Sequence, residues 1–580
     1  MQTDVTAVIP RTPGEDVTPP RSGRDTARWI ILIVLALGWI AGVVWRMWLG
    51  SPIGSPIAHA DEDSYVNVAR ALTGGPNGYS SETALFRRVG YPMFISPAFW
   101  PGLEFADSYR LVHVLNAIAN AATLPLTYLL ARRMFKMPQW PAMAAAFVAA
   151  TLGATVFWSL VGMTDSVMTP LLLGWLLAIH WWLAEPGRKL AALTTGAMLG
   201  LLYIVHIRGT ILVVVFVGFL ALMLIRRRSG LLNVALSIVP LAGFIVLNQL
   251  VIMFLGTKIV LLKNIVGGQT VDALADADRL QVLFAAVGTN IWYMLVASLG
   301  LAGIAWWVTG KELFRPTRDV AYRWTALLTL ASTIAVVLGA SVILAGLSSD
   351  NADALYSRYV QMFVPFYVLF GFAVLLDSKL RTVLSSTAFA LLILVAGGGM
   401  IAYRLHYVAE RGHHLNYGAF GGPDLMTMTL GWHEFRPIVA TVVGAVGLLL
   451  IVAFTRVRRL AVPVIVAFVL LNVGILAVMR QNIMVPFGAL NTPEIRLPDL
   501  GVTPKDKIAV TWGQNNQMHY SLYHETTWMQ LKNTDVPPPG YNVMIARWRP
   551  GTDKDWDGTK YGFHRVGGSP KQQWAVWRKD

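Results

Sequence analysis

The sequence contains no cysteine and little charge. Without cysteine, the chain has no disulfide, no thiol nucleophile and no cysteine-bound zinc or iron–sulfur site. Charged residues make up 14% of the chain, whereas about 25% is usual in soluble globular proteins. Hydrophobic residues make up 55%, and the mean hydropathy is +0.54. These values exclude a soluble enzyme, a DNA-binding protein and a disordered chain, and they are typical of a polytopic membrane protein.

Long apolar runs predict the number of membrane spans. Runs of about 18–25 residues are long enough to cross a bilayer as helices, and the 580-residue sequence contains about thirteen. We therefore predict an all-α membrane domain with about thirteen transmembrane helices. The first run extends from Trp29 to Leu49, and the others centre near residues 121, 150, 175, 197, 217, 243, 295, 335, 367, 391, 445 and 470.

Loop charge predicts the orientation of these spans. The chain has 47 basic and 32 acidic residues, a net charge of +15. Cytoplasmic loops of membrane proteins are enriched in lysine and arginine, so this surplus indicates topology and not a nucleic-acid partner. Every second loop is basic, which predicts a cytoplasmic N-terminus and an extracytoplasmic C-terminus. The basic clusters are Arg132–Lys136, Arg188–Lys189, Arg226–Arg228, Lys311–Arg318, Lys379–Arg381 and Arg456–Arg459.

Three regions follow from this topology. Residues 1–27 are polar and lack an apolar period, so we predict a disordered cytoplasmic tail. Residues 28–480 are predicted to form the membrane domain, and residues 481–580 a small extracytoplasmic domain of α/β or mostly β type. The substantial outer loops are 50–107, 257–280 and 404–435, and the strand-like runs of the last region are Lys507–Trp512, Asn542–Trp548 and Gln573–Trp577.

The first outer loop contains a run of acids. Asp61, Glu62 and Asp63 open an amphipathic segment over residues 64–72, which predicts a helix lying along the membrane surface. Acidic residues in a first turn complement the helix dipole. The run therefore fits either a helix cap or a functional cluster.

Arginines and a further acid are predicted at outer helix ends. Arg87 and Arg88 lie in a predicted outer loop, whereas basic residues are usually concentrated on the cytoplasmic side. Contact with lipid headgroups or binding of an anion would explain their position. Asp165 lies where the third span turns into the fourth and fits an N-cap or a functional acid. Arg208 and Arg358 lie at the outer ends of the fifth and tenth spans, and we interpret them as functional because a guanidinium at that depth is costly.

Acids and arginines at one membrane level suit a particular chemistry. Carboxylates suit an acceptor hydroxyl or a divalent cation such as Mg²⁺, Mn²⁺ or Ca²⁺, for which Asp61 and Asp165 are the candidate ligands. Arginines suit a phosphate. A site with both indicates transfer of a group from a lipid-linked phosphate.

The order of five motifs carries a family resemblance over roughly residues 28–376. The first is Asp61-Glu62-Asp63-Ser64-Tyr65, followed by Ala69-Arg70-x-Leu72. The others are Gly90-Tyr91-Pro92, the Asp165 turn, Arg208 and Arg358-Tyr359…Pro365. In this order they resemble the GT-C glycosyltransferases, in the branch of the aminoarabinose transferase and protein O-mannosyltransferase superfamily. Two features depart from that branch: Ser64 replaces a usual basic residue, and Arg87-Arg88 stands near the place of a Lys-Pro pair.

The resemblance implies a membrane glycosyltransferase with the GT-C fold. It would move a sugar, by inverting displacement, from a polyprenyl-phosphate donor to an extracytoplasmic cell-envelope glycan or glycolipid. Mannose, arabinose and aminoarabinose all fit as the sugar. The candidate catalytic acids are Asp61, Glu62, Asp63 and Asp165, with Asp61 favoured as the base. The candidates for donor phosphate binding are Arg87, Arg88, Arg208, Arg358 and Tyr359, and those for acceptor binding are Tyr65, His206, Tyr417 and Trp432.

Two other classes of protein stay open at this point. A lipid or sugar transporter, or flippase, would have ionisable groups near the bilayer midplane and broken helices, whereas these charges lie at helix ends. A non-enzymatic scaffold with a sugar-binding domain would not need acids and arginines together. The enzyme hypothesis predicts that Asp61, Asp165 and Arg358 converge on one cavity open to lipid.

Overall fold

The computed structural model shows a bundle of apolar helices and a small C-terminal domain built on a sheet. The residues described are 22–59, 61–75, 88–100, 102–259, 277–347, 355–412, 418, 420–432, 434–457, 460–511, 516–529, 531–552 and 555–579.

The bundle is formed by long apolar helices joined by short turns. The first half contains α1 (Ser22–Gly50), α2 (Asp61–Leu72), α3 (Gly90–Ile95), α4 (Phe105–Ala121), α5 (Thr123–Arg133), α6 (Gln139–Thr151), α7 (Gly153–Phe157), α8 (Asp165–Ala184), α9 (Lys189–Val205), α10 (Arg208–Ile225) and α11 (Leu231–Gly256). The second half contains α12 (Ala277–Ala297), α13 (Leu301–Phe314), α14 (Val320–Leu347), α15 (Val364–Asp377), α16 (Leu380–Glu410), α17 (Pro423–Thr429), α18 (Pro437–Thr455), α19 (Ala461–Met479) and α20 (Val485–Asn491).

The chain is an integral membrane protein. Among the described residues, 10 helices are long and apolar enough to cross a membrane, and the α6–α7 pair, bent by 57°, is an eleventh candidate. Two shorter apolar helices lie over residues 189–205 and 361–377. Each predicted centre falls within one of these helices. The predicted count of about thirteen is reached only if both shorter helices also cross.

The first outer loop differs from the predicted surface helix. Residues 61–72 do form a helix, α2, but its residues from Glu62 to Ala71 are buried. The C-terminal domain covers it, and the Arg70 guanidinium donates to the Thr526 carbonyl at 3.2 Å. The prediction of a helix lying along the membrane surface is therefore wrong, because protein covers the face that would meet water.

Several predicted boundaries also shift. Helix α1 begins at Ser22, so residues 22–27 are helical, while residues 1–21 of the predicted tail lie outside the described part. Helix α16 extends to Glu410 and occupies the start of the third predicted loop. The last span continues beyond residue 480, through a π-helical turn at Arg480–Met484, and ends with α20. Most of the predicted loop 257–280 lies outside the described residues.

The C-terminal domain is a mixed sheet with a crossover helix, α21 (Asn516–Glu525). The strand order is β2-β1-β3-β5-β4; β1 pairs parallel with β2 and β3, and β5 pairs antiparallel with β3 and β4. This confirms a small C-terminal α/β domain. Strands β1 and β3 fall within predicted strand-like runs, and β5 overlaps the third run and extends one residue beyond it, to Arg578. The strands are β1 (Ile508–Val510), β2 (Lys532–Asn533), β3 (Val543–Arg547), β4 (His564–Ser569) and β5 (Trp574–Arg578).

Glycine permits the close packing of α9 on α11. Gly196 and Gly200 are one helical turn apart on α9, the small-xxx-small spacing that brings membrane helices together. A Cβ added at Gly196 would overlap the Ser237 carbonyl oxygen, and one added at Gly200 would meet the Phe244 ring. On the partner helix, a Cβ at Gly243 would meet nothing within 4 Å.

We expect Gly196→Ala to lower the stability of the protein by about 1–3 kcal/mol, because the added methyl group forces α9 and α11 apart. Thermal unfolding in detergent, followed by tryptophan fluorescence, measures the change. Gly243→Ala is the matched control and should leave the unfolding midpoint unchanged or slightly raised. Equal midpoints for the two variants would contradict the packing described.

Candidate active site

The three acids that open α2 face different partners. Successive residues of an α-helix point about 100° apart, so Asp61, Glu62 and Asp63 face three directions. Each carboxylate contacts a different part of the molecule, and the contacts divide the acids by role.

Glu62 fastens α2 to the bundle. Its side chain is fully buried, and one oxygen accepts from the backbone N–H groups of Ile57 at 2.8 Å and Ala58 at 3.0 Å. The other oxygen accepts from the Tyr109 hydroxyl on α4 and from the Gly162 N–H at 2.5 Å. A Cβ at Gly162 would lie only 2.7 Å from that oxygen, so glycine allows the approach. Burial raises the pKa of Glu62, against the opposing effect of these donors.

Asp63 connects α2 to the C-terminal domain. Its carboxylate bonds His524 of α21 at 2.7 Å and His59 at 3.0 Å, and the other nitrogen of His59 bonds Asn491 of α20 at 2.8 Å. Burial favours a raised pKa for Asp63, but the bonds from the two histidines outweigh it and hold the pKa well below its usual value. Asp63 is therefore an ionised anchor between two domains.

Asp61 meets a buried cluster of two arginines and a second acid. Its carboxylate accepts from Arg358 Nη1 at 2.5 Å, and Arg358 Nε donates to Asp165 at 2.6 Å. The second oxygen of Asp165 accepts from Arg208 Nη2 at 2.5 Å. Asp165 thus bridges two guanidiniums, and Asp61 joins the cluster through one of them.

The two arginines are held by further contacts. The Nδ1 atom of His206 accepts from both the backbone N–H and Nε of Arg208 at 3.1 Å. Arg208 Nη1 donates to the carbonyl of Arg358 at 3.0 Å and to that of Tyr359 at 3.3 Å. Among the described residues, Arg358 Nη2 has no hydrogen-bond partner. One N–H group of this buried guanidinium is thus not used by the described residues.

Arg88 lies at the junction of α9 and α10, where Arg208 begins α10. Its guanidinium donates to the Tyr203 hydroxyl at 3.0 Å and to the Thr210 hydroxyl at 2.8 Å, and it stacks 4.2 Å from the Tyr203 ring centre. These partners are neutral. No described acid therefore pairs with Arg88, whereas Arg208 and Arg358 are balanced by Asp165 and Asp61.

Accessibility separates Asp61 from the other acids. The Asp61 side chain is 19% exposed, whereas Glu62, Asp63 and Asp165 are buried. Asp165 begins α8, yet both of its oxygens bond arginine and Thr164 makes no side-chain cap, so the N-cap alternative is wrong. Asp61 is therefore the most accessible of the four candidate acids.

The remaining candidates are placed as follows. Tyr65 is buried edge-on against Tyr91, and His206 is buried against Arg208, so both support the site from within. Tyr359 is half-buried beside Arg208, and Trp432 is half-buried against the bundle core. Arg87 and Tyr417 lie outside the described residues.

The two candidate cation ligands, Asp61 and Asp165, are both bonded to arginine. Both oxygens of Asp165 are bonded to guanidiniums, and Asp61 is bonded to Arg358. Their negative charge is already compensated. The described residues contain no group of three histidine or acidic side chains that could hold a metal ion.

Sequence reasoning missed the residues that hold the acids in place. His59 could have been noticed, because it stands four residues before Asp63, a spacing at which helical side chains meet. His524 is 461 residues away from Asp63, and no local pattern links the two. Tyr109 and Gly162 carry no recognisable motif either.

The architecture is similar to two solved structures. ArnT from Cupriavidus metallidurans bound to undecaprenyl phosphate superposes with a TM-score of 0.53 at 13% identity, covering 95% of this chain and 98% of that one. The apo form of that protein gives 0.51 at 14% identity with the same coverage. The chain has the GT-C fold. No family profile and no curated protein sequence matches the chain, so within the GT-C fold its activity must be inferred from the site.

We expect Asp165→Asn to destabilise the protein by about 3–5 kcal/mol, because it leaves the Arg208 guanidinium buried without a counter-charge and Arg358 paired with Asp61 alone. An unfolding titration in mixed micelles measures the loss. Asp377→Asn removes an exposed acid whose partner is Arg318 and should change stability by no more than about 0.5 kcal/mol. A loss for Asp165→Asn as small as that of the control would show that Asp165 does not hold the cluster.

Proposed function

We propose that the protein is a membrane glycosyltransferase that transfers a sugar from a polyprenyl-phosphate donor to a cell-envelope glycan or glycolipid. The sugar would be of the mannosyl or arabinosyl type, and the transfer would invert the anomeric centre. The observation that carries the proposal is the convergence of Asp61, Asp165, Arg208 and Arg358 into one cluster within a GT-C fold. The solved structure of ArnT with undecaprenyl phosphate supports the choice of lipid.

Charge along the helices supports an extracytoplasmic site. Helix α10 begins at Arg208 in the cluster and ends at Ile225, immediately before Arg226–Arg228. Its 18 residues span about 27 Å, close to the thickness of a bilayer core. The basic run therefore lies at the opposite end from the site, and basic loops favour the cytoplasm. The plasma membrane, with the N-terminus inside, is the location we propose.

Asp61 is proposed as the general base. Its carboxylate takes the proton of the acceptor hydroxyl as that oxygen attacks the anomeric carbon of the donor. The bond between the anomeric carbon and the phosphate oxygen breaks on the opposite face, and polyprenyl phosphate leaves. Asp61 returns the proton to water. Because the leaving group is a phosphate, no strong general acid is needed.

Arg88 and Arg358 are proposed to bind the phosphate. The two acids and two arginines of the cluster cancel, and Arg88 contributes one further positive charge beside them. A phosphodiester donor carries one negative charge, and the departing phosphate monoester carries up to about two. The arginines thus stabilise the product side more than the substrate side, which favours the reaction step itself.

We expect Asp61→Asn to lower kcat by about 10²–10⁴-fold with little change in the donor KM, because it removes the base and keeps the shape of the side chain. The assay is transfer from synthetic polyprenyl-phosphate mannose, arabinose or aminoarabinose by purified protein in nanodiscs. The control, Asp107→Asn, changes an exposed acid on α4 and should retain full activity. Turnover by Asp61→Asn equal to the control would rule out Asp61 as the base.

A further inference from the structure

A cleft lies between the first outer loop and the C-terminal domain. Its volume is about 520 Å³, within the range of about 300–1,000 Å³ typical of ligand pockets. One wall comes from the start of α4, including Phe105 and Ala106, and the other from the C-terminal domain, including Ser521, Glu525 and Trp528. We call it the domain cleft.

The lining of the domain cleft has the chemistry of a carbohydrate site. Trp528 offers an aromatic surface, and its indole N–H has no hydrogen-bond partner among the described residues. Glu525 and Ser521 belong to the same wall, and one oxygen of the Glu525 carboxylate accepts from the Leu497 N–H at 2.8 Å. Sugar rings stack their C–H faces on aromatic side chains while their hydroxyls bond carboxylates and hydroxyls.

The charges of the domain cleft favour a neutral ligand. Arg496 is paired with Glu104, so its positive charge is already compensated. The remaining charged group is Glu525, and burial raises its pKa to about 7. The cleft therefore carries between zero and one negative charge at neutral pH, which disfavours phosphate, sulfate or acidic sugars.

The domain cleft is one side chain away from the acid run of α2. Phe105, which lines the cleft, stacks on the His524 ring with centres 4.8 Å apart and planes 11° apart. His524 in turn bonds Asp63, two residues from Asp61. Glu525 follows His524 directly in the chain. The cleft thus adjoins the contact that anchors α2, the helix that begins at Asp61.

We propose that the domain cleft binds a neutral oligosaccharide, the part of the acceptor that extends beyond the reacting sugar. That the oligosaccharide belongs to the acceptor depends on the proposed function, but binding itself does not require transfer. The C-terminal domain then selects the acceptor, while the membrane domain holds the donor and the base.

Saturation-transfer NMR on the full-length protein in nanodiscs tests the proposal. The test ligands are mannotriose, arabinotriose and maltotriose, with sialyllactose as an anionic comparison. We expect saturation transfer to at least one neutral trisaccharide and none to sialyllactose. Trp528→Ala should weaken that binding at least about tenfold through loss of stacking. Ala106→Trp should weaken trisaccharide binding to a similar extent, because the larger side chain fills the cleft from α4. Ala106 belongs to α4 and not to the core of the C-terminal domain, so this variant tests the cleft without disturbing that core.

Asp61→Asn is the control that separates the two proposals. It should lower transfer by about 10²–10⁴-fold and leave trisaccharide binding unchanged. A fully active Asp61→Asn variant that still binds the trisaccharide would rule out Asp61 as the base and leave the proposal for the cleft standing. A lipid carrying the same trisaccharide identifies the source: tighter binding than that of the free sugar supports a glycolipid, and equal binding supports a glycan chain. The proposal is overturned if no neutral trisaccharide binds, if sialyllactose binds better, or if Ala106→Trp binds as the parent does.

Discussion

A buried carboxylate, that of Asp165, holds two buried arginines, and the rest of the site depends on this interaction. Removing a guanidinium from water costs several kcal/mol unless a counter-charge and further hydrogen bonds replace the lost hydration. Asp165 supplies one oxygen to Arg208 and the other to Arg358. His206 and two backbone carbonyls satisfy much of Arg208. Arg358 is thereby fixed with Nη1 on Asp61, while its Nη2 has no hydrogen-bond partner among the described residues. A carboxylate and a guanidinium N–H group therefore lie side by side.

The acid run of α2 shows how one helical turn serves three purposes. Glu62 attaches the helix to the bundle, and Asp63 attaches the C-terminal domain to the helix. With α2 held by these two contacts, the Asp61 carboxylate faces the arginine cluster and bonds Arg358. A run of acids that resembles a simple helix cap in the sequence is thus the junction of the membrane domain, the C-terminal domain and the site. Loss of either anchor is expected to shift α2, and Asp61 with it.

The sequence predicts much of this arrangement. The predictions that were wrong, and the residues that were missed, have physical explanations. Apolar runs predict the helices because membrane spans must satisfy their backbone internally, and charges at helix ends single out Asp61, Asp165, Arg208 and Arg358. The surface position expected for α2 was wrong, because hydropathy does not reveal that another domain covers a helix. His524 and the domain cleft were missed for the same reason: they exist only once the C-terminal domain docks. Local patterns report local structure, and these features depend on contacts between distant segments.

The central claim is that the fixed arginines bind a lipid phosphate beside Asp61. The two acids and two arginines of the cluster balance each other, and Arg88, bonded only to neutral groups among its described contacts, leaves a net positive charge. The most direct measurement is an electron cryomicroscopy structure of the protein in nanodiscs containing undecaprenyl phosphate. We expect the phosphate within about 3 Å of the guanidiniums of Arg88 and Arg358, next to the Asp61 carboxylate. A phosphate bound elsewhere, with both arginines keeping only the protein contacts described, would contradict the account.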